Sequence, residues 1–207
     1  MSAQPITYEL TVAGGVALQV QSFTARERLS EGFTMRVVAH GAAAPDLDAV
    51  VGSAVSLAVL RDDGRARRFH GVVLDASVES PHPGTMRVVL DVGARIELLK
   101  LGRNCRIFQK KSVPDIVRAV CDEAGVAQSW GLTGTYDPRE YVTQYNESDW
   151  SFVARLLDDE GIGFMVRHGE SAEEVVFFDD DHAWLPAEGD VTALVDRDAT
   201  QLSRDVV

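Results

Sequence analysis

Apolar residues fall on every second position through most of the first ninety residues. The runs are Ile6, Tyr8, Leu10 and Val12, then Val16, Leu18 and Val20, then Phe33, Met35 and Val37, then Val55, Leu57 and Val59. Two more follow, at Val72, Leu74, Ala76 and Val78 and at Met86, Val88, Leu90 and Val92. A two-residue period sends one face of a strand to a core and the other to water. Turn-forming residues separate the runs: Gly14-Gly15, Gly41 to Pro45, Asp62-Asp63-Gly64, and Pro81 to Gly84. Asp-Gly between two alternating runs is a hairpin signal. Strands in succession without a strong helix between them predict an antiparallel β-barrel or sandwich. One short helical turn is expected around Asp46 to Val51.

The period changes near Ala94. "GARIELLKLG" predicts a short helix and "NCRIFQK" a strand. Ser112 then caps a helix, with Asp115 three residues on and Pro114 tolerated in the first turn. Val113, Ile116, Val117, Val120 and Ala124 repeat at helical spacing until Gly125 stops the helix. The design then recurs. Arg139 to Tyr145 reads as a strand with Tyr141, Thr143 and Tyr145 on one face, and Asn146 as a cap with Asp149 at the third helical position. Trp150, Val153, Ala154 and Leu157 share one helical face, and Phe152 and Leu156 widen it past half the circumference. A helix apolar over that much arc is covered on two sides. Gly161 ends it, and "IGFMVRH" with "EEVVFFDD" closes as a hairpin through Gly169. The expected fold class is β-rich α+β. An antiparallel β-barrel-like domain spans 1–100, an α+β segment with two short helices 101–180, and the start of an incomplete further segment 181–207.

Composition narrows the partners. The 207 residues are 45% hydrophobic and 25% charged, with a formal net charge of -12, so a sizeable core is expected inside an acidic surface. Such a surface repels phosphate backbones and acidic membranes, which excludes nucleic acid as an expected partner. Two cysteines, Cys105 and Cys121, make neither a disulfide framework nor a C-x-x-C metal pair. The opening "MSAQPITYELTV" lacks a charged leader followed by a long apolar run. No segment reaches the roughly 18 consecutive apolar residues of a membrane span. Synthesis in the cytoplasm is expected, with any export independent of a cleaved signal.

The candidate chemistry is thin. Asp179-Asp180-Asp181 with His182 offers oxygen and nitrogen ligands for a metal, yet no second histidine stands at ligand spacing, and a solvated turn is the better reading. Glu147, Asp149, Asp158, Asp159 and Glu160 would supply a carboxylate pair for glycoside hydrolysis. On a helix, however, the first two favour its opening turn, and the last three face water. His40, His70, His82, His168 and His182 stand near no G-x-S-x-G nucleophile. His70, in "RFHG", reads as a satisfied histidine on a strand. No P-loop or G-x-G-x-x-G is present. No catalytic, cofactor-binding or metal-binding residue is assigned, and no cofactor is expected.

Three blocks in fixed order carry a resemblance: "RRFHGVV" from Arg67, "RIFQKKSVPDIVRAVCDEAG" from Arg106, and "REYVTQYNESDWSFVARLLDDEGIGFMVRH" from Arg139. With "LSEGFTMRV" from Leu29, they resemble the N-terminal hub part of the type VI secretion spike protein VgrG and phage late control protein D family, which is similar to contractile phage tail hubs. The likeness runs from about Tyr8 to Asp181, and its third block is the most specific. The resemblance implies a homotrimeric structural hub with two barrel-like domains per subunit, giving a pseudo-sixfold ring that docks on a hexameric tube protein. It also implies an OB-fold and β-helical needle further on, and effector or adaptor proteins as partners. The chain ends at Val207, so an incomplete second barrel is expected. The leading expectation is the non-enzymatic base of a membrane-puncturing spike in a contractile injection apparatus. A non-catalytic adaptor for an effector or tube component is the alternative, and a spike-associated cell-wall hydrolase is a weaker third reading.

Overall fold

Six strands build one antiparallel sheet: β1 Ile6–Val12, β2 Gln19–Arg26, β3 Thr34–Gly41, β4 Ala54–Arg61, β5 Ala66–His82 and β6 Thr85–Gly93. Their order is β1-β4-β5-β6-β3-β2, so the first two strands of the chain stand at opposite edges. The sheet curls until Tyr8 of β1 and Phe23 of β2 meet edge to face, with ring centroids 5.8 Å apart. It is a half-barrel whose seam is bridged by side chains rather than by a ladder. The computed structural model describes residues 6–180, apart from Val16, 62–65 and 83–84. The expected strand position at Val16, the Asp62-Asp63-Gly64 turn, Gly84 and the segment 181–207 with its Asp181 and His182 lie outside the described residues.

The alternating residues line the concave face. Val12, Met35, Val37, Val55, Leu57, Val88, Leu90 and Val92 are all buried. Curvature has a local cause in β5, where the register against β6 slips between Val73 and Asp75; such a bulge bends and twists its strand. Gly71 lies just before it. A Cβ there would stand 2.4 Å from the Gly93 carbonyl oxygen and 2.9 Å from the Phe33 ring, so this crossing of β5 and β6 admits only glycine.

Helix α1, Leu47–Val50, is capped by Asp46, whose carboxylate accepts from the Asp48 N–H at 3.2 Å. The segment "RIELLK" forms a 3₁₀ turn, Arg95–Lys100, that buries Ile96 and Leu99; a spacing of three is the repeat of that helix. Then come β7 Asn104–Phe108, α2 Val113–Glu123, β8 Gln128–Gly131, β9 Val142–Glu147, α3 Asp149–Glu160, β10 Gly163–His168 and β11 Glu173–Phe178. Strands β7 and β9 form an antiparallel ribbon, and β10 and β11 the expected hairpin, with β8 added parallel to β11.

Ser112 caps α2 as expected, accepting from the Asp115 N–H and donating its hydroxyl to that carboxylate at 2.7 Å. Helix α3 requires a correction. Its cap is Ser148, which accepts from the Ser151 N–H at 3.0 Å. Asn146 instead sits at positive φ, 47°, as the extra residue where the β7–β9 register slips inside β9. The helix therefore starts two residues later than expected, and Asp149 is its first residue rather than its third. The strand before it also shifts: β9 is Val142–Glu147, while Arg139 makes only an isolated bridge to Lys111.

Helix α3 buries Phe152, Val153, Leu156 and Leu157, and α2 buries Ile116, Val117 and Val120. These join the concave face of the half-barrel, through Ile96, Leu99 and Phe177, in one continuous hydrophobic cluster. No helix among the described residues is long and apolar enough to cross a membrane.

Because the Gly71 site leaves no room for a methyl group, Gly71→Ala is expected to destabilise the fold by about 2 kcal/mol, within the range for overpacking. For a chain of this size that is roughly 4–8 °C in Tm, read by calorimetry. An unchanged Tm would show that β5 and β6 separate freely at this crossing.

Candidate functional site

Two polar networks among the described residues lie between packed elements: one at the joint between the half-barrel and the β10–β11 hairpin, and one on the inner face of the β7–β9 ribbon. At the joint, the ring of His168 sits edge to face on Phe33, centroids 4.6 Å apart, and on Phe69 at 5.4 Å. Its Nδ1 accepts from the backbone N–H of His70 at 3.1 Å. That bond places the proton of the neutral ring on Nε2, which faces Glu27 Oε1 at 3.4 Å, an ion-pair distance without hydrogen-bond alignment. One guanidinium nitrogen of Arg67 donates to both oxygens of Glu27, at 2.8 and 2.6 Å. Burial pushes the Glu27 pKa up, but His168 and the charge of Arg67 outweigh it, and the carboxyl is held below its ordinary value.

His70 reaches the carbonyl of Gly169 through Nε2 at 3.0 Å. Burial lowers its pKa, only partly opposed by that carbonyl. Across the joint, Glu173 Oε1 accepts from the Arg95 N–H at 2.6 Å, while Oε2 is buried without a partner. Burial pushes this carboxyl up to about 7 against the pull of Arg95. A crevice of about 430 Å³ opens beside these groups, fronted by Ser56, His70, Arg95 and Glu173. Ser56 stands opposite His70 in the β4–β5 ladder. The hydrogen bonds of His70 and Glu173 run to backbone groups of neighbouring elements, so their geometry ties chain segments together rather than activating a hydroxyl.

Under the ribbon, Asp149 collects Asn104 Nδ2 at 2.9 Å, Gln144 Nε2 at 2.8 Å and Arg106 Nη2 at 3.1 Å. Burial alone would raise its pKa, but Gln144, Asn104 and the Arg106 charge hold it below the ordinary carboxylate value. Gln144 is fully buried, and its amide nitrogen must face the carboxylate, which fixes its orientation. Sequence reasoning missed Gln144, because the network it joins on Asp149 takes its other donors, Asn104 and Arg106, from a strand distant in sequence. The available signal was a glutamine two residues after Val142, on the same face of an alternating strand.

The other expected candidates are engaged structurally. Asp179 accepts from the Thr133 and Gly134 N–H groups and from the Tyr136 hydroxyl, and these bonds lower its pKa to about 2 against the effect of burial. Glu147 pairs with Arg155, while Asp159 and Glu160 pair with Arg139; Asp158 is exposed. His40 meets Gln21 at 3.0 Å. Cys121 is buried, its thiol pushed up to about 12 by desolvation. Among the described residues no group of three or more metal-ligating side chains converges.

Residues 26–207 match the family described as phage tail baseplate hub (GPD). The chain belongs to that family. This hub chain is 33% identical over 169 residues to the type VI secretion system spike protein VgrG1b of Pseudomonas aeruginosa, covering 80% of itself and 23% of that protein. To VgrG4b of the same organism it is 34% identical over 183 residues, 86% of itself and 22% of the relative. It thus spans under a quarter of the length of these curated relatives. Its fold overlays that of an E. coli type VI secretion component, described as structurally similar to the T4 tail proteins gp27 and gp5. That match has a TM-score of 0.77 at 28% identity and covers 86% of the hub chain and 50% of the other.

Two outcomes test these assignments. Glu173 binds its proton more tightly folded, at about 7, than at its ordinary 4.5, so the folded state binds more protons between those values and stability falls as pH rises through them. Denaturant midpoints should drop from pH 5 to pH 8, and Glu173→Gln should flatten that slope. Asp149→Ala should cost about 2 kcal/mol in urea unfolding, because it takes the carboxylate from the buried Gln144 amide and from Asn104, while Arg106 keeps Glu123 at 3.2 Å; a cost under about 1 kcal/mol would mean water replaces the carboxylate.

Proposed function

We propose that this chain forms the base of the membrane-puncturing spike of a contractile injection apparatus, acting as a structural hub rather than an enzyme. One observation carries the reading: three of the four sequence blocks that resemble the spike proteins, those from Leu29, Arg67 and Arg139, converge on a packing joint. Ser30 and Phe33 come from the block at Leu29, Arg67, Phe69 and His70 from the one at Arg67, and Phe164 and His168 from the one at Arg139. The Ser30 N–H donates to the Phe164 carbonyl at 2.7 Å, beside the His168 contacts. Specific residues used to hold elements together suit a part that transmits force.

In this reading the half-barrel of 1–100 and the α+β segment of 101–180 are followed by the start of a further domain in 181–207. The full-length protein is a homotrimer whose paired barrels present sixfold pseudo-symmetry to a hexameric tube protein, and it carries effector or adaptor proteins. It is made and assembled in the cytoplasm and exported without a cleaved signal.

Mixing the purified chain with rings of its cognate tube protein tests the docking. Co-elution on size exclusion, with density capping ring ends in negative-stain micrographs, is expected. A chain that ignores the rings yet releases fragments from purified peptidoglycan would replace the hub by a hydrolase.

A further inference from the structure

One face of the β7–β9 ribbon lies on α3, where Phe108 stacks on Phe152 and Asn104 donates to Asp149. The other face is open. On it Cys105 stands opposite Tyr145, and Ile107 opposite Thr143, with Tyr141 just before β9. Ile107, Tyr141 and Tyr145 expose 59, 56 and 78% of their surface, where the solvent face of an antiparallel sheet ordinarily carries polar residues. With about 150–250 Å² per buried aromatic ring, the patch amounts to a few hundred Å², the size at which exposed apolar surface marks an interaction site. It falls short of the roughly 800 Å² per partner that holds separate chains together. A segment tethered to the same chain needs far less contact, because a short tether supplies an effective concentration in the millimolar range.

Such a segment starts close by. Asp179, the residue after β11, accepts from the Thr133 and Gly134 N–H groups and from the Tyr136 hydroxyl, at 2.8, 2.7 and 2.8 Å. Tyr141 comes five residues after Tyr136, and Trp184 five residues after Asp179. Five residues span at most about 18 Å, so the two rings hang from one clamp on arms of equal length. Trp184 and Leu185 are the first large apolar residues past that clamp. Charge does not choose the occupant here. Lys110 and Lys111 border that end of the ribbon together with Asp137 and Glu140, all four exposed.

We propose that the segment following β11 folds back over the open face of the ribbon and seats Trp184 and Leu185 against Tyr141 and Ile107. The inference goes beyond the hub reading and does not depend on it. Reach and polarity select this occupant. The clamp on Asp179 brings the end of β11 to the loop that leads into β9, and the apolar pair follows within one short arm. Burying a tryptophan and a leucine against an isoleucine and a tyrosine removes apolar surface from water on both sides. The ribbon thereby serves as the seat that orients whatever the chain builds after β11.

A native thiol makes the contact testable. Cys105 is exposed on the open face, two residues from Ile107, while Cys121 is buried. A disulfide requires Cα atoms within about 7 Å. In the full chain carrying Leu185→Cys, mild oxidation should therefore join the introduced thiol to Cys105 within one molecule, read from a non-reducing peptide map. Adding Tyr141→Glu, an exposed change that leaves the core untouched, should slow this cross-link at least about tenfold, as for an interface hot spot. A rate unaltered by Tyr141→Glu would mean random collision of the tether and would overturn the proposal, as would the absence of any cross-link. Disulfides formed between molecules instead would give the face to a second copy, and the proposal would fail. The hub reading keeps its own test with tube rings in each case.

Discussion

The edge-to-face contact of His168 with Phe33, 4.6 Å between centroids, is the constraint on which the rest of the structure depends. A half-barrel that does not close leaves its concave face open at one end, and the β10–β11 hairpin fills that end. Histidine suits the position because it meets two demands at once. Its ring packs on Phe33 and Phe69, and its Nδ1 satisfies the His70 N–H, which an aliphatic side chain would leave buried without a partner at a cost of about 1–3 kcal/mol. The pair of Glu27 and Arg67 then faces the remaining ring nitrogen. Seated this way, the hairpin carries α3 behind it onto the same core.

Apolar contact joins the two parts of the chain, but polar contact fixes their orientation. The shared hydrophobic cluster is non-directional and would tolerate several placements of the hairpin. The bonds from Arg95 N–H to Glu173, from His70 to Gly169 and from Ser30 N–H to Phe164 each accept one placement only. Asp149 does the same one layer out, where it gathers β7, β9 and α3 on a single carboxylate. Its low pKa and the raised pKa of Glu173 are two results of one burial. The first carboxylate has three side-chain donors to offset desolvation, and the second has one backbone N–H.

Much of this was legible in the sequence. The half-barrel strands other than β2 followed from alternation, and α2 from Ser112, Pro114 and Gly125; β2 runs Gln19–Arg26, past the expected run of Val16, Leu18 and Val20, because a register shift after Val20 breaks its alternation. What escaped depends on partners distant along the chain. Strand β8, the four residues Gln128–Gly131, carries too short a pattern to announce itself and exists because β11, over forty residues later, offers a parallel edge. The cap of α3 went to Asn146 because asparagine, serine and aspartate are nearly equivalent caps. Only the ribbon register, which holds the chain through Glu147, moves the start to Ser148. The acidic cluster around α3 invited a catalytic reading, and arginines brought from other elements decide against it for Glu147, Asp159 and Glu160.

The two faces of the ribbon invert the usual arrangement. Its covered side holds Asn104, Arg106 and Gln144 around a buried carboxylate beside the packed Phe108 and Val142, while its open side holds Ile107, Tyr141 and Tyr145. An isolated domain gains nothing from that distribution. Polar groups facing water need no partners, and apolar groups left in water forgo about 25 cal/mol per Å² of burial. The inversion becomes favourable once a further surface covers the outer face. The inner network then sets the ribbon's position rigidly enough for the outer rings to meet a fixed partner. Rigid positioning from beneath and adhesion from above are complementary requirements on two strands, and they explain why a short ribbon carries so specific a set of residues.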